Sequence, residues 1–240
     1  MTILCIETST HVCSVAICKD GVPSRQCINK EGSNHARLLP LYIDELLRWA
    51  REQQLTIDAV ALSEGPGSYT GLRIGTSMAK GLCYGLNVPL IPVPTLEVLT
   101  FAAKESLTSN SLKDGLSSNS AAVYIPMIDA RRMEVYTNIM VNGEWVNGEG
   151  AKAVVVENEQ SFSEAGYYFG DGAAKCQAVL TGPNWHFIPD IVPEAQYMGA
   201  LAEQIVNRKS SNRQSVDLAY YEPFYLKEFV AAPSHVKGLK

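Results

Sequence analysis

The chain has 240 residues, 46% of them hydrophobic and 19% charged, with a net charge of −5. That is room for one large domain or two modest ones of ordinary globular composition. The acidic balance excludes a broad basic surface for nucleic acid, and the longest basic runs are pairs such as Arg131-Arg132 and Arg208-Lys209.

The opening MTILCIETST lacks the basic and long apolar regions of a signal peptide. No uncharged apolar stretch reaches the length of a membrane span, so a cytoplasmic chain with no membrane partner is expected. Residues 2–29 read as a three-stranded meander: ILCIE, CSVAICK, a turn at Asp20-Gly21, then PSRQCI. Leu38, Leu39, Tyr42, Ile43, Leu46, Leu47, Trp49 and Ala50 form a wide apolar stripe with period 3.6, predicting a helix over 34–51. IDAVALS (57–63) reads as a buried strand. The glycine-rich loop SEGPGSYTGLRIG follows, and a helix over 71–86 is expected, capped by Thr70 or its neighbour.

Residues 104–121 are rich in Ser, Asn and Gly and read as an exposed loop. After it the meander pattern returns: VYIPMID, MEVYTNIMV, a turn at Asn142-Gly143, then EWV. Glu7 and Gly21 stand 14 positions apart, and so do Asp129 and Gly143. The shared spacing from strand-ending acid to turn suggests an internal duplication. YYFGDGAAKCQAVL (167–180) repeats the order of short strand, glycine turn and helix. A last long helix is expected over 197–209, and PFYLKEF (223–229) reads as a closing strand or docking segment. The expected division is a first lobe of 1–103 plus about 212–240, and a second of 104–211.

The six cysteines contain no C-x-x-C pair and read as reduced, buried thiols. The four histidines contain no H-x-x-x-H pair, so no metal site is assigned. The loop at 63–75 offers three readings. A strand, a glycine turn and a helix N-terminus favour an anion. Yet neither G-x-x-x-x-G-K-[ST], nor G-x-G-x-x-G, nor G-x-S-x-G is present. The second reading is steric: Gly71, Gly75 and Ala79 are four apart and form a ridge for a close helix contact, within this chain or with another. The third uses Glu7, Thr8 and Ser9, an acid at a strand end followed by hydroxyls, where a duplicated ATPase would hold phosphate and metal-bound water. That turn lacks the glycine through which a phosphate approaches, and turns rich in hydroxyls also occur without ligand. No catalytic residue is assigned.

ILCIETST, SEGPGSYTGLRIGTSMAKGL, IDARRMEVY and PFYLKEF, in this order, resemble the TsaB family, also called YeaZ. The resemblance implies an α/β fold of the ASKHA type (actin-like ATPase and ribonuclease H-like), with two duplicated lobes, each with a mixed five-stranded sheet and helices. It implies a partner subunit, not itself catalytic, for N6-threonylcarbamoyladenosine formation next to the tRNA anticodon. The partners it implies are a TsaD-like catalytic paralogue with an H-x-x-x-H metal helix and a TsaE-like ATPase. tRNA would be met only through the complex. No cofactor is expected on the chain by itself, with ATP or ADP placed at the shared interface. Nucleotide contact would then fall near Glu7, Thr8, Ser9, Gly65, Gly67, Ser68, Tyr69 and Thr70. The partner interface, also serving a homodimer of the isolated chain, is expected at Leu39, Tyr42, Ile43, Leu46, Gly71, Arg73, Gly75, Met78 and Ala79. The alternatives are an independent ASKHA-type ATPase or kinase and a glycoprotease-like metallopeptidase.

Overall fold

A computed structural model describes residues 1–32, 34–114, 122–146, 148, 150–209 and 216–227. The first sheet takes β1 (Thr2–Glu7), β2 (Cys13–Lys19) and β3 (Val22–Asn29) as the predicted meander. After α1 (His35–Glu52), β4 (Ala59–Gly65) runs parallel to β1. After α2 (Tyr69–Leu86), β5 (Leu90–Pro94) runs parallel to β4. The order is β3-β2-β1-β4-β5.

Every residue of β1 is buried, because both faces of the sheet are covered. Leu4 and Ile6 point to one face with Val15, Ile17, Val60 and Leu62, under Leu39, Ile43 and Leu46 of α1 and Ala79 and Cys83 of α2. Ile3 and Cys5 point to the other, with Ala16, Cys18, Ala59 and Ala61. That face is covered by α3 (Thr95–Asp114) and α4 (Met198–Lys209) through Val98, Met198, Leu201 and Ala202. A strand buried on both faces reads as a continuous apolar run, as ILCI does.

The second lobe has β6 (Val123–Asp129), β7 (Glu134–Thr137), β8 (Met140–Val141), β9 (Glu144–Trp145), β10 (Lys152–Val155), β11 (Tyr167–Phe169) and β12 (His186–Ile188). Its main path, β10-β7-β6-β11-β12, repeats the first sheet strand for strand. The first two pairings are antiparallel and the last two parallel in both. The duplication inferred from the two acid-to-turn spacings is thus present in the topology.

Several expectations need correction. MEVYTNIMV is not one strand. It breaks at Asn138, whose side-chain amide donates to the carbonyls of Gly148 (3.0 Å) and Gly150 (2.6 Å). The hairpin at Asn142-Gly143 forms, but β9 pairs only with β8, and β10 takes the place of the third strand. The sheet has seven strands rather than five. The helix expected within 167–180 is one 3-10 turn, Ala174–Cys176.

The loop expected at 104–121 is helical as far as Asp114, and its remainder lies outside the described residues. Leu96, Leu99, Ala102 and Ala103 of α3 pack on Ile128 and Phe169 of the second lobe, while Val98 packs on the first. A helix anchored on two lobes carries its Ser- and Asn-containing end along, because propagation adds a bond per residue once the nucleus is held. The boundary expected at 104 therefore falls inside α3. Residues 194–209 also belong with the first sheet, where Ala195 N donates to Ser14 Oγ (2.9 Å). The segment 223–227 forms no strand, and 228–229 lie outside the described residues.

Candidate functional site

The site lies where β1 and β4 end. Glu7 closes β1, and its carboxyl is wholly buried. Its Oε1 accepts hydrogen bonds from Ser9 N (2.6 Å), Ser9 Oγ (2.5 Å) and Ser63 Oγ (3.0 Å). Its Oε2 has no partner among the described residues. Burial pushes the Glu7 carboxyl above the ordinary glutamate range, against the downward pull of the Ser9 and Ser63 hydrogen bonds. The Asp171 carboxylate adds to the rise.

Glu7 therefore contributes stability below the unfolded glutamate value of about 4.3, and this is lost as pH rises through its folded value. Wild type should lose melting temperature relative to Glu7→Gln as pH is raised from about 4.3 towards neutrality. Parallel melting-temperature profiles of the two proteins would refute the assignment.

The turn after Glu7 lies directly on the glycine loop. A Cβ on Gly67 would sit 2.2 Å from the Ser9 carbonyl oxygen, one on Gly71 2.0 Å from the Thr8 carbonyl oxygen, and one on Gly75 2.3 Å from Thr8 Oγ1. Gly71 and Gly75, four apart, share one face of α2, and Gly67 lies just ahead of its cap Ser68. The Thr8 hydroxyl donates to the Gly71 carbonyl (2.9 Å), and Ser68 N donates to the Ser9 carbonyl (2.6 Å). Ser68, rather than Thr70, caps α2, its Oγ accepting from Gly71 N (3.3 Å). Two backbone donors that an anion would use are thus engaged by the chain itself. Gly65, at φ +112°, has the Phe224 carbonyl 2.5 Å from where its Cβ would be. Phe224 N donates to Glu64 O (2.7 Å), so residues 216–227 strap the loop from outside.

Tyr69 packs against Tyr225 of this strap with ring centroids 4.8 Å apart and the planes tilted by 38°, and the Arg73 guanidinium lies 5.6 Å from the Tyr69 ring. Tyr69, Thr70, Arg73, Ile74 and Met78 line an open groove of 790 Å³ on the outer face of α2, beside Ala36 of α1.

The nine residues expected at a partner interface separate into two groups. Leu39, Ile43, Leu46, Gly71, Gly75 and Ala79 are buried within their own lobe, so they are not on the surface a partner meets. Arg73 is exposed, and Tyr42 and Met78 are half-buried. The physical reason is that the wide stripe of α1 is filled by the sheet and α2, while the glycine stripe is filled by the Thr8-Ser9 turn. Tyr84 and Leu41 are the most exposed large apolar side chains of these helices, at 86% and 58%, followed by Leu86.

Across the cleft, the second lobe supplies Asp129, the counterpart of Glu7, and Asp171, in a glycine turn after β11. Asp171 Oδ1 accepts from Asp129 N (3.0 Å), and its other oxygen faces His11 Nδ1 at 3.9 Å. Asp171 holds the His11 imidazole above its ordinary value. Lys175 pairs with Asp129. Among the described residues no three His, Cys, Asp or Glu side chains are grouped to hold a metal ion. Sequence reading did not single out His11, Asp171 or Lys175; it marked 223–229 as a closing strand or docking segment, and 223–227 dock on the loop as part of the strap. The GDG turn at 170–172 was the available signal, standing where 65–67 stand in the first lobe.

All six cysteines are free thiols, and no helix among the described residues is long and apolar enough to cross a membrane. The family described as TsaD, tRNA N6-adenosine threonylcarbamoyltransferase, matches residues 29–233. The Escherichia coli tRNA threonylcarbamoyladenosine biosynthesis protein TsaB is 29% identical over 96% of each chain. Its Bacillus subtilis namesake is 33% identical over 58% of this chain and 55% of its own. YeaZ from Pseudomonas aeruginosa superposes with a TM-score of 0.67 at 26% identity, covering 94% of this chain and 99% of that one. The two-lobed architecture is ASKHA-like, and the chain belongs to the threonylcarbamoyltransferase family within its TsaB/YeaZ branch.

Proposed function

We propose that this chain is the partner subunit, not itself catalytic, in N6-threonylcarbamoyladenosine formation on tRNA, activating a TsaD-like paralogue. The observation that carries this reading is the occupied loop: the Thr8-Ser9 turn rests on Gly67, Gly71 and Gly75, and Ser68 N and Gly71 N are engaged within the chain. Likeness along nearly the whole length of a protein named for threonylcarbamoyladenosine biosynthesis supplies the pathway. A TsaE-like ATPase joins the pair, ATP or ADP sits at the shared interface, and the assembly is cytoplasmic. The isolated chain pairs with a second copy through the outer face of α2.

The test is reconstitution of tRNA modification from purified components with and without this chain. Full modification in its absence would reject the reading. The chain alone is expected to show negligible ATP hydrolysis and no peptidase activity. Steady turnover that disappears in Glu7→Ala would restore the independent ATPase.

A further inference from the structure

The motif IDARRMEVY contains a feature that the fold does not require. Between β6 and β7 the chain reverses through 130–133, and Arg131 and Arg132 both adopt left-handed backbone, at φ 70° and 50°. That region is unfavourable for residues bearing a Cβ and usually goes to glycine or asparagine. The turn closes with Ala130 N donating to Glu134 O and Glu134 N to Arg131 O, both at 3.1 Å, bonds that any residue type makes. Both side chains are exposed. Among the described residues neither forms an ion pair. The two nearby carboxylates are already engaged, Asp129 by Lys175 and Glu134 by Lys227 of the strap. Tyr136, half-buried, has the Lys227 ammonium 5.8 Å from its ring centre. Tyr136 pairs with Ile128 across β6 and β7, so it stands beside the turn. The turn stands beside the mouth between the lobes: Asp129, at its start, donates its N–H to Asp171, whose carboxylate faces His11 of the first lobe at 3.9 Å.

We propose that Arg131 and Arg132 grip the phosphodiester backbone of an RNA at the mouth between the lobes, beside the Tyr136 ring. Two neighbouring unpaired guanidinium forks suit the phosphates of a nucleic-acid strand, and an adjacent aromatic edge suits an unstacked base. The net charge of −5 makes this a local, weak contact on the chain alone, felt at low salt and completed by other subunits in an assembly. The choice of RNA over another polyanion rests on the function proposed above.

The test uses the full chain and a fluorescein-labelled tRNA transcript, followed by anisotropy across a salt series. Wild type is expected to bind at low salt and weaken as salt rises. Arg131→Gly/Arg132→Gly should bind about tenfold more weakly, with the logarithmic salt slope reduced by about 2. Its melting temperature should be equal or higher, because glycine accepts the left-handed turn. Arg131→Lys/Arg132→Lys should keep the slope. Unchanged binding by the double glycine variant, or wild-type binding insensitive to salt, would overturn the proposal. So would competition by a polyglutamate peptide as effective as competition by unlabelled RNA, which would assign the patch to an acidic protein segment. The assay contains neither the paralogue nor an activity readout, so its failure is distinct from failure of the reconstitution.

Discussion

Gly75→Leu is expected to lower the stability of the isolated protein by about 2–4 kcal/mol. The new Cβ would begin 2.3 Å from Thr8 Oγ1 and 3.2 Å from a Leu62 methyl. Its branch has nowhere to go, since Thr8 lies at the floor of the site and Leu62 is fully buried. Displacing Thr8 also breaks its hydrogen bond to the Gly71 carbonyl. For a chain of this size the melting temperature should fall by roughly 5–15 °C. Gly81, on the outer face of the same helix, has nothing within 4 Å of its Cβ position. Gly81→Ala should therefore raise stability by about 0.5–1 kcal/mol, from helix propensity and reduced unfolded-state freedom. Two glycines of one helix are thus expected to respond with opposite sign in a single pair of melting curves. An unchanged melting temperature for Gly75→Leu would reject the placement of the glycine stripe inside the lobe.

The second large effect is expected at the groove on the outer face of α2. Met78→Asp places a carboxylate on an apolar wall formed with Ile74 and Leu82. A partner helix seated there would bury that charge unpaired. Truncating a central interface contact costs about 2 kcal/mol or more, or roughly 30-fold in affinity, and an unpaired charge costs more. Association with the TsaD-like subunit, measured by calorimetry, should weaken by at least about 30-fold, with tRNA modification falling in parallel. Ser77→Arg is the companion variant. Ser77 is exposed and lines the groove, so the larger side chain obstructs the groove without touching the core. It should leave the melting temperature in place and weaken association. Normal association by both variants would move the interface elsewhere, with Tyr84 and Leu41 the next surface to change.

Periodicity carried much of the fold. The stripe of α1, the apolar run ILCI within β1 and the hairpin turns were legible because each is a short local pattern. The repeat was legible because two acids and two turn glycines kept their spacing. β10 was missed because a sheet partner is chosen by space: the chain between Asn142 and Lys152 makes a small hairpin before returning to β7. The end of α3 was missed because its Ser- and Asn-rich composition argues for a loop, while the packing of its first half on two lobes argues for helix, and packing prevails.

The glycines show the division most directly. From residues alone, the loop with Gly65 and Gly67 read as a phosphate site or a turn, and Gly71, Gly75 and Ala79 as a ridge for a close helix contact within the lobe or with a partner. Composition and spacing determined that something approaches these backbones closely. They also determined that no known phosphate or nucleophile motif is present. Only the tertiary structure decided that the approaching group is the chain's own Thr8-Ser9 turn, delivered by β1, with Thr8 63 positions from Gly71 in sequence and β1 beside β4 in the sheet. The same holds for the candidate interface. A helix records in its sequence how wide its apolar stripe is, whereas which neighbour covers that stripe depends on the chain's path. Here that path buries Leu39, Ile43 and Leu46 and leaves Arg73, Ser77 and Met78 lining a groove.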